Sequence, residues 1–413
     1  MIQVRQIRSC NRNRRCLSSD FLLLTVLFKV IELIIILKTG SSVSAFLVRG
    51  GPSLNSSPGY LKRQRGMGCS TSGNTSGSGS SNSVNYDSSK SKDFLFPQPE
   101  LSANSKMVYE GKNIMLTGAS SGLGAAMALH LSTCNVHHLL LSGRNMVALR
   151  EVAQQCEKLA AATSYFNKPL PTVVQTKVHI LPCDLADLKA VQEMADLALT
   201  LTSSAVDILI NCGGISSRSK FLDTSIDVDE LLMKVNFLSG AALAKKLVPG
   251  MISQGGGKII WISSIQGKLG IPLRTSYAAS KFAVQGYCES LRSELTSTGV
   301  SVHIISPGYI RTSLSQNAML GSLGQTYQKM DETTAQGADP LKVSSTILVS
   351  VARGQADVIV AASFTARIAI WLRFFFPSLL RSMLVKRFLK SQQNKQQIDS
   401  ISNININKYK KSE

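Results

Sequence analysis

No run of histidine, cysteine and carboxylate residues in this chain has the spacing of a metal site, so a resident metal ion is not expected. Paired cysteine spacings are missing too. The central region carries five cysteines, Cys134, Cys156, Cys183, Cys212 and Cys288, an odd number. That excludes a disulfide scaffold and favours reduced thiols facing cytosol or stroma rather than an oxidising lumen. Several fall at the ends of apolar segments, where a small side chain packs well. Acidic residues are scarce: 25 Asp and Glu stand against 45 Lys and Arg, for a net charge of +20. None occurs from Phe46 to Tyr86 or from Phe364 to Lys390. The excess charge does not form one compact basic face with interleaved aromatics, so nucleic acid is not an expected partner. No internal repeat is present.

Long apolar runs are also few. Phe21–Leu37 follows an arginine-rich start, Arg5, Arg8, Arg12, Arg14 and Arg15, in the manner of a signal sequence. As a helix it would reach roughly 25 Å, short of a hydrocarbon core of about 30 Å, and it contains Lys29 and Glu32. Val43-Ser44-Ala45 offers a small-residue cleavage site before Phe46, and the Ser-rich, acid-free stretch beyond resembles a bipartite plastid presequence. The expectation is a membrane-associated protein on the endoplasmic reticulum route by signal or anchor; the alternative is a plastid. Residues 69–92, rich in Ser, Gly and Asn, read as a flexible linker.

The most informative segment is Ser276-Tyr277-Ala278-Ala279-Ser280-Lys281, downstream of Trp261-Ile262-Ser263-Ser264. On a helix of 3.6 residues per turn, Tyr277 and Lys281 share a face, which puts an ammonium beside a phenol. Bringing a tyrosine from about 10 to near 7 needs roughly 4 kcal/mol, toward which a partly buried cation contributes. Tyr277 then becomes a usable acid-base group. A Tyr and a Lys that merely share a solvated helix face is the alternative.

Residues upstream separate the two readings. At 114–124 the chain reads Ile-Met-Leu-Thr-Gly-Ala-Ser-Ser-Gly-Leu-Gly and then becomes helix-forming, a strand, a turn and a helix. Gly118, Gly122 and Gly124 allow tight backbone passage, and the helix N-terminus that follows favours a pyrophosphate. This loop and the later Tyr-x-x-x-Lys together resemble the short-chain dehydrogenase/reductase family. The resemblance runs from about Lys112 to Gly308. It implies an α/β fold: a single doubly wound parallel-sheet Rossmann domain with helices on both faces, in keeping with strand and helix patterns that alternate from Asn113 to about Val360. It also implies catalytic roles for Asn236, Ser264, Tyr277 and Lys281. A nicotinamide cofactor is then expected on Gly118, Ser120, Ser121, Gly122, Leu123 and Gly124, on Asp184 and Leu185, on Asn211 and Gly213, on Tyr277 and Lys281, and on Pro307, Gly308, Ile310 and Thr312. Cys212 and Gly213 depart from the family's Asn-Asn-Ala-Gly at a strand end. Met singly, Asn236 would pass for a helix cap, Asp184 for a turn former and Pro307-Gly308 for a plain loop. Five matching segments in the right order favour the joint reading.

The second strand, read over Val136–Arg144, ends without the acid that would hold a ribose hydroxyl, and Arg144 stands there instead. A guanidinium can pair with a 2′-phosphate, so NADP(H) is the expected cofactor. His137 and His138, near the strand entry, read as packing or surface residues.

Beyond the general family pattern, the stretches from Ile262 to Lys268, from Ile305 to Ile310 and from Met330 to Gly337 resemble a membrane-associated subgroup linked to 1-acyl or 1-alkyl dihydroxyacetone phosphate. The expected substrate is therefore a lipid-like ketone reduced to a secondary alcohol, with retinoid, steroid and 3-oxoacyl ketones as alternatives and a non-catalytic lipid-binding role as the other class. The chain divides into a leader at 1–106, a catalytic domain at 107–362 and a basic amphipathic tail at 363–413. The tail unites Arg367, Arg373, Arg381, Lys386, Arg387 and Lys390 with Trp371, Phe374, Phe375, Phe376, Leu379, Leu380 and Leu384. It reads as membrane-surface binding, with Pro377 breaking it into two short pieces; the alternative is a helix pair over the cleft or a seam between two copies in a homo-oligomer.

Overall fold

Strands covered on both faces read as continuous apolar runs, and the stretches around Ile114, Leu140, Ile208 and Ile260 have that character. The computed structural model describes residues 101–166, 175–203 and 205–409. In it these runs pair into one sheet: β1 (Asn113–Thr117), β2 (His138–Gly143), β3 (Lys177–Pro182), β4 (Ile208–Asn211), β5 (Gly257–Ile262), β6 (Val300–Pro307) and β7 (Asp357–Val360). Strand order is β3-β2-β1-β4-β5-β6-β7 and every pairing is parallel. The chain winds outward from β1 to β3, then returns to place β4 on the other side of β1. That reversal opens a crevice at the carboxyl ends of β1 and β4, the usual ligand position in such sheets.

Side chains alternate across each strand and feed two cores. Ile114, Leu116, Leu139 and Leu141 point to one face, under α2 (Gly122–Ser132), α3 (Met146–Phe166) and α9 (Pro340–Ala352). Met115, Leu140, Leu209 and Trp261 point to the other, under α4 (Leu188–Leu201), α6 (Ser239–Ser253) and α7 (Thr275–Glu294). The remaining helices before the tail are α1 (Ala103–Met107), α5 (Ile226–Met233) and α8 (Glu332–Ala335). The doubly wound sheet is as expected; β2 is shorter than Val136–Arg144, because His137 already bonds outside the ladder to the Lys112 carbonyl.

The tail departs from two short pieces. It forms α10 (Phe364–Phe375) and then α11 (Pro377–Tyr409), which has 33 residues. Pro377 stands at the first position of α11, where its missing N–H costs nothing, so it starts a helix rather than shortening one. Ile370, Leu372 and Leu380 bury against Leu269. Arg367 and Arg373 donate to the carbonyls of Ile359 and Lys268, at 3.0 and 2.8 Å. Among the described residues no helix is long and apolar enough to cross a membrane. The leader up to residue 100, including Phe21–Leu37, the cleavage site and the linker, lies outside the described residues.

Candidate active site

The loop between β1 and α2 is glycine-spaced because the chain has to reverse against its own backbone. Gly118 has φ +71°, and a Cβ there would lie 2.7 Å from the Gly213 Cα. A Cβ on Gly124 would lie 2.1 Å from the Gly118 carbonyl oxygen. No other residue fits either position without moving backbone. Thr117 fastens the far side of this turn: its Oγ1 accepts from the amides of Cys212 and Gly213 at 3.2 and 3.1 Å, which joins the ends of β1 and β4.

A cleft of about 270 Å³ opens above this junction. Its wall includes Gly118, Ser120, Ser121, Gly122, Leu123, Gly124, Arg144, Asp184, Leu185 and Gly213. Ser264, Tyr277, Lys281, Pro307, Gly308, Ile310 and Thr312 line it as well. Two expected residues stand outside that wall. Asn211 is buried with both side-chain polar atoms unpartnered, and the Cβ position of Gly240 lies 3.0 Å from its Nδ2, so it faces α6 rather than the cleft. Asn236 lies behind the wall, in a π-helical turn, Lys234–Leu238, between α5 and α6. Its Oδ1 accepts from the Ile215 amide at 2.8 Å; its Nδ2 donates to the Ile215 carbonyl at 3.0 Å and to Ser280 Oγ at 2.8 Å. Ser280 in turn donates to the Tyr277 carbonyl at 2.8 Å, which ties the π turn to α7.

Tyr277 and Lys281 do share the buried face of α7, and the Ser264 hydroxyl lies in hydrogen-bonding reach of the phenol. Ser264 is oriented from the start of a 3-10 turn, where its Oγ accepts from the Gln266 amide at 3.1 Å. The electrostatics correct a simpler expectation. Burial dominates at Tyr277 and raises its pKa, against the lowering influence of Ser264 and then Arg274. Burial likewise pushes Lys281 down, to about 8. Its Nζ donates to the Ile262 carbonyl at 3.0 Å and stands 5.8 Å from the centre of the Tyr277 ring.

Three contributors escape a motif search. Gln285 is buried and donates to Ser263 Oγ and Ser306 Oγ, at 3.0 and 3.1 Å, pinning the ends of β5 and β6 to α7. Thr117 reads in sequence as an ordinary strand residue. Arg274, three residues before Tyr277, is only 6% exposed; spacing hints at a shared face, but only packing shows that its charge is buried. All five cysteines of the described residues are free, and burial raises the thiol pKa of each.

The family model for short chain dehydrogenases matches residues 112–321. Over 282 residues the chain is 42% identical to the Dehydrogenase/reductase SDR family protein 7-like of Drosophila melanogaster, covering 68% of this chain and 81% of that one. It is 39% identical to the Dehydrogenase/reductase SDR family member 7B of Bos taurus, with 68% and 83% covered. Among solved structures, a short chain dehydrogenase/reductase of Burkholderia phymatum in complex with NAD aligns with a TM-score of 0.55 at 20% identity, covering 66% of this chain and 95% of that one. That likeness speaks to the fold.

Proposed function

The chain belongs to the short-chain dehydrogenase/reductase family of oxidoreductases, and from that premise we propose that it reduces a ketone to a secondary alcohol with NADPH. The observation that carries this reading is the meeting of Ser264, Tyr277 and Lys281 in the cleft that the glycine loop also lines. Backbone that cannot accept a Cβ at Gly124 is a cradle fitted to a pyrophosphate at the N-terminus of α2. Arg144, exposed at the end of β2, fits a 2′-phosphate, and no carboxylate stands there to repel one. Asp184, Gly213, Ile310 and Thr312 would line the rest of the cofactor.

When bound, the reduced nicotinamide supplies the hydride. The protein's own groups do the remainder. Ser264 donates a hydrogen bond to the carbonyl oxygen, and Tyr277 gives that oxygen a proton as negative charge develops on it. Lys281, with a pKa brought down to about 8, is suited to return a proton toward Tyr277 near neutral pH. Asn236 holds the backbone behind that relay. Ile215, Val235 and Leu314 on the cleft wall suit an apolar substrate, in keeping with a lipid-like ketone such as an acyl or alkyl dihydroxyacetone phosphate. Retinoid, steroid and 3-oxoacyl ketones satisfy the same chemistry.

The tail supports a membrane-surface contact as part of this proposal. Trp371, Phe374, Phe375, Met383 and Leu389 are each about half exposed or more, among the outward charges Arg381, Lys386, Arg387 and Lys390.

The test is Tyr277→Phe assayed over a panel of ketones with NADPH. The variant is expected to keep cofactor binding and lose at least about 100-fold in turnover. A Phe variant as active as the parent on any ketone would remove Tyr277 from the chemistry and the proposal with it.

A further inference from the structure

A groove of about 290 Å³ lies between α11 and the loop that joins the Ser264 turn to α7, and it shares no lining residue with the cleft at the glycine loop. Its floor is Leu269, Gly270 and Pro272, which stand between Ser264 and Tyr277 in the chain. Its wall is a stripe of α11. Leu380, Leu384 and Phe388 recur at four-residue spacing and so share one face of that helix. Leu380 is buried against Leu269, whereas Leu384 and Phe388 are only partly covered, so the contact with the body loosens along the helix and leaves a groove. A Cβ on Gly270 would meet no atom within 4 Å, so the floor is open there as well.

We propose that this groove takes the alkyl chain of a single-chain anionic amphiphile, with the headgroup held at Arg381. The site goes beyond the reading of Tyr277 and does not rest on it. The lining is apolar apart from two cations, Arg373 and Arg381, which is the make-up of a site for an alkyl chain with a charged end. Neither cation has a carboxylate partner among the described residues. Arg373 is committed in part, since its Nη1 donates to the Lys268 carbonyl at 2.8 Å and its guanidinium lies over the Phe282 ring at 4.4 Å. Arg381 is exposed, and its stem lines the groove while its charge stays in water. A volume of about 290 Å³ is at the small end of ligand sites and suits one chain rather than the two of a bilayer phospholipid. A second copy of the protein is disfavoured by charge. No Asp or Glu occurs from Phe364 to Lys390, so pairing this face with itself would set basic residues against basic residues.

The experiment is a calorimetric titration of the full chain with dodecyl phosphate below its micelle concentration, beside a neutral alkyl glycoside of the same chain length and inorganic phosphate. Dodecyl phosphate should saturate at a single molecule per chain. The glycoside should bind about fivefold or more weakly, and phosphate alone should give no signal. Gly270→Phe, whose ring would fill the open floor, should lose about tenfold or more in affinity, the equivalent of roughly two methylenes kept out of the groove. Arg381→Glu should weaken dodecyl phosphate about tenfold and leave the glycoside unchanged. This exposed substitution decides the matter if Gly270→Phe does not fold. Uptake of many molecules without saturation, equal affinity for the two amphiphiles, or an Arg381→Glu chain that binds dodecyl phosphate as the parent does would mean adsorption on the exposed aromatic face and would overturn the inference. None of these readouts needs turnover, so an active Tyr277→Phe enzyme would remove the functional reading and leave this one standing.

Discussion

Arg144 stands at the cleft with its guanidinium exposed, where the strand that would carry an acid in an NAD-preferring site ends in Gly143. On the proposed reading its guanidinium would meet a phosphate that only one of the two nicotinamide cofactors possesses. Arg144→Ala should raise the KM for NADPH about tenfold or more while leaving the use of NADH nearly unchanged. Steady-state kinetics with both cofactors checks this; an equal loss on both would show that Arg144 does not read the 2′-phosphate. At the same scale, Tyr277, Lys281 and Ser264 were legible because their spacing survives in sequence, whereas Arg274, Thr117 and Gln285 were not. Each of the latter meets partners between 21 and 96 residues away.

Strands β2 and β3 carry a pair of histidines in contact, His138 buried and His179 partly so. His138 Nδ1 and His179 Nε2 are 3.0 Å apart with the rings stacked, so protonating both would set like charges together. Burial, followed by the neighbouring His137, His179 and Lys177, pushes His138 down to about 4; burial also lowers His179, His130 and His303. Unfolded, each imidazole takes up its proton near 6.5, so the unfolded chain binds more protons between the two values and stability rises with pH there. The contribution is complete above about pH 6.5 and declines as pH falls toward 4. His138 alone would cost about 2 kcal/mol by pH 5. Thermal unfolding followed from pH 7 to pH 5 should show a falling midpoint, and His138→Leu should flatten that slope. A parent protein whose midpoint is level across this range would place the histidines in contact with water in the folded state.

For the whole molecule, the charge distribution and the C-terminal helices pose the main question. Only two tryptophans occur, and they report on different places: Trp261 is 1% exposed inside the sheet packing and Trp371 is 57% exposed on α10. Anionic phospholipid vesicles at low salt should shift Trp371 emission to shorter wavelength, an effect reversed by high salt and absent in Trp371→Phe. No shift with vesicles, together with a dimer in solution, would assign the exposed aromatic face to a second copy of the chain. Arg367 and Arg373 are occupied by domain carbonyls, so the salt-sensitive part of this contact should rest on Arg381, Lys386, Arg387 and Lys390.

The sequence by itself determined the doubly wound sheet, the glycine loop and the Tyr277 and Lys281 helix face, because each is written in local pattern: apolar runs with small-residue turns, glycines where a Cβ would strike backbone, and a spacing of one helical turn. Tertiary structure alone decided that Asn211 faces α6, that Asn236 lies behind the cleft wall, and that Pro377 opens a long helix. It also decided the balance at Tyr277. The sequence puts a lysine beside the phenol and suggests a lowered pKa, but the folded site removes both from water, which raises one and lowers the other, and adds weaker lowering influences from Ser264 and then Arg274. Burial and the approach of distant charges are properties of packing, and no spacing along a chain encodes them.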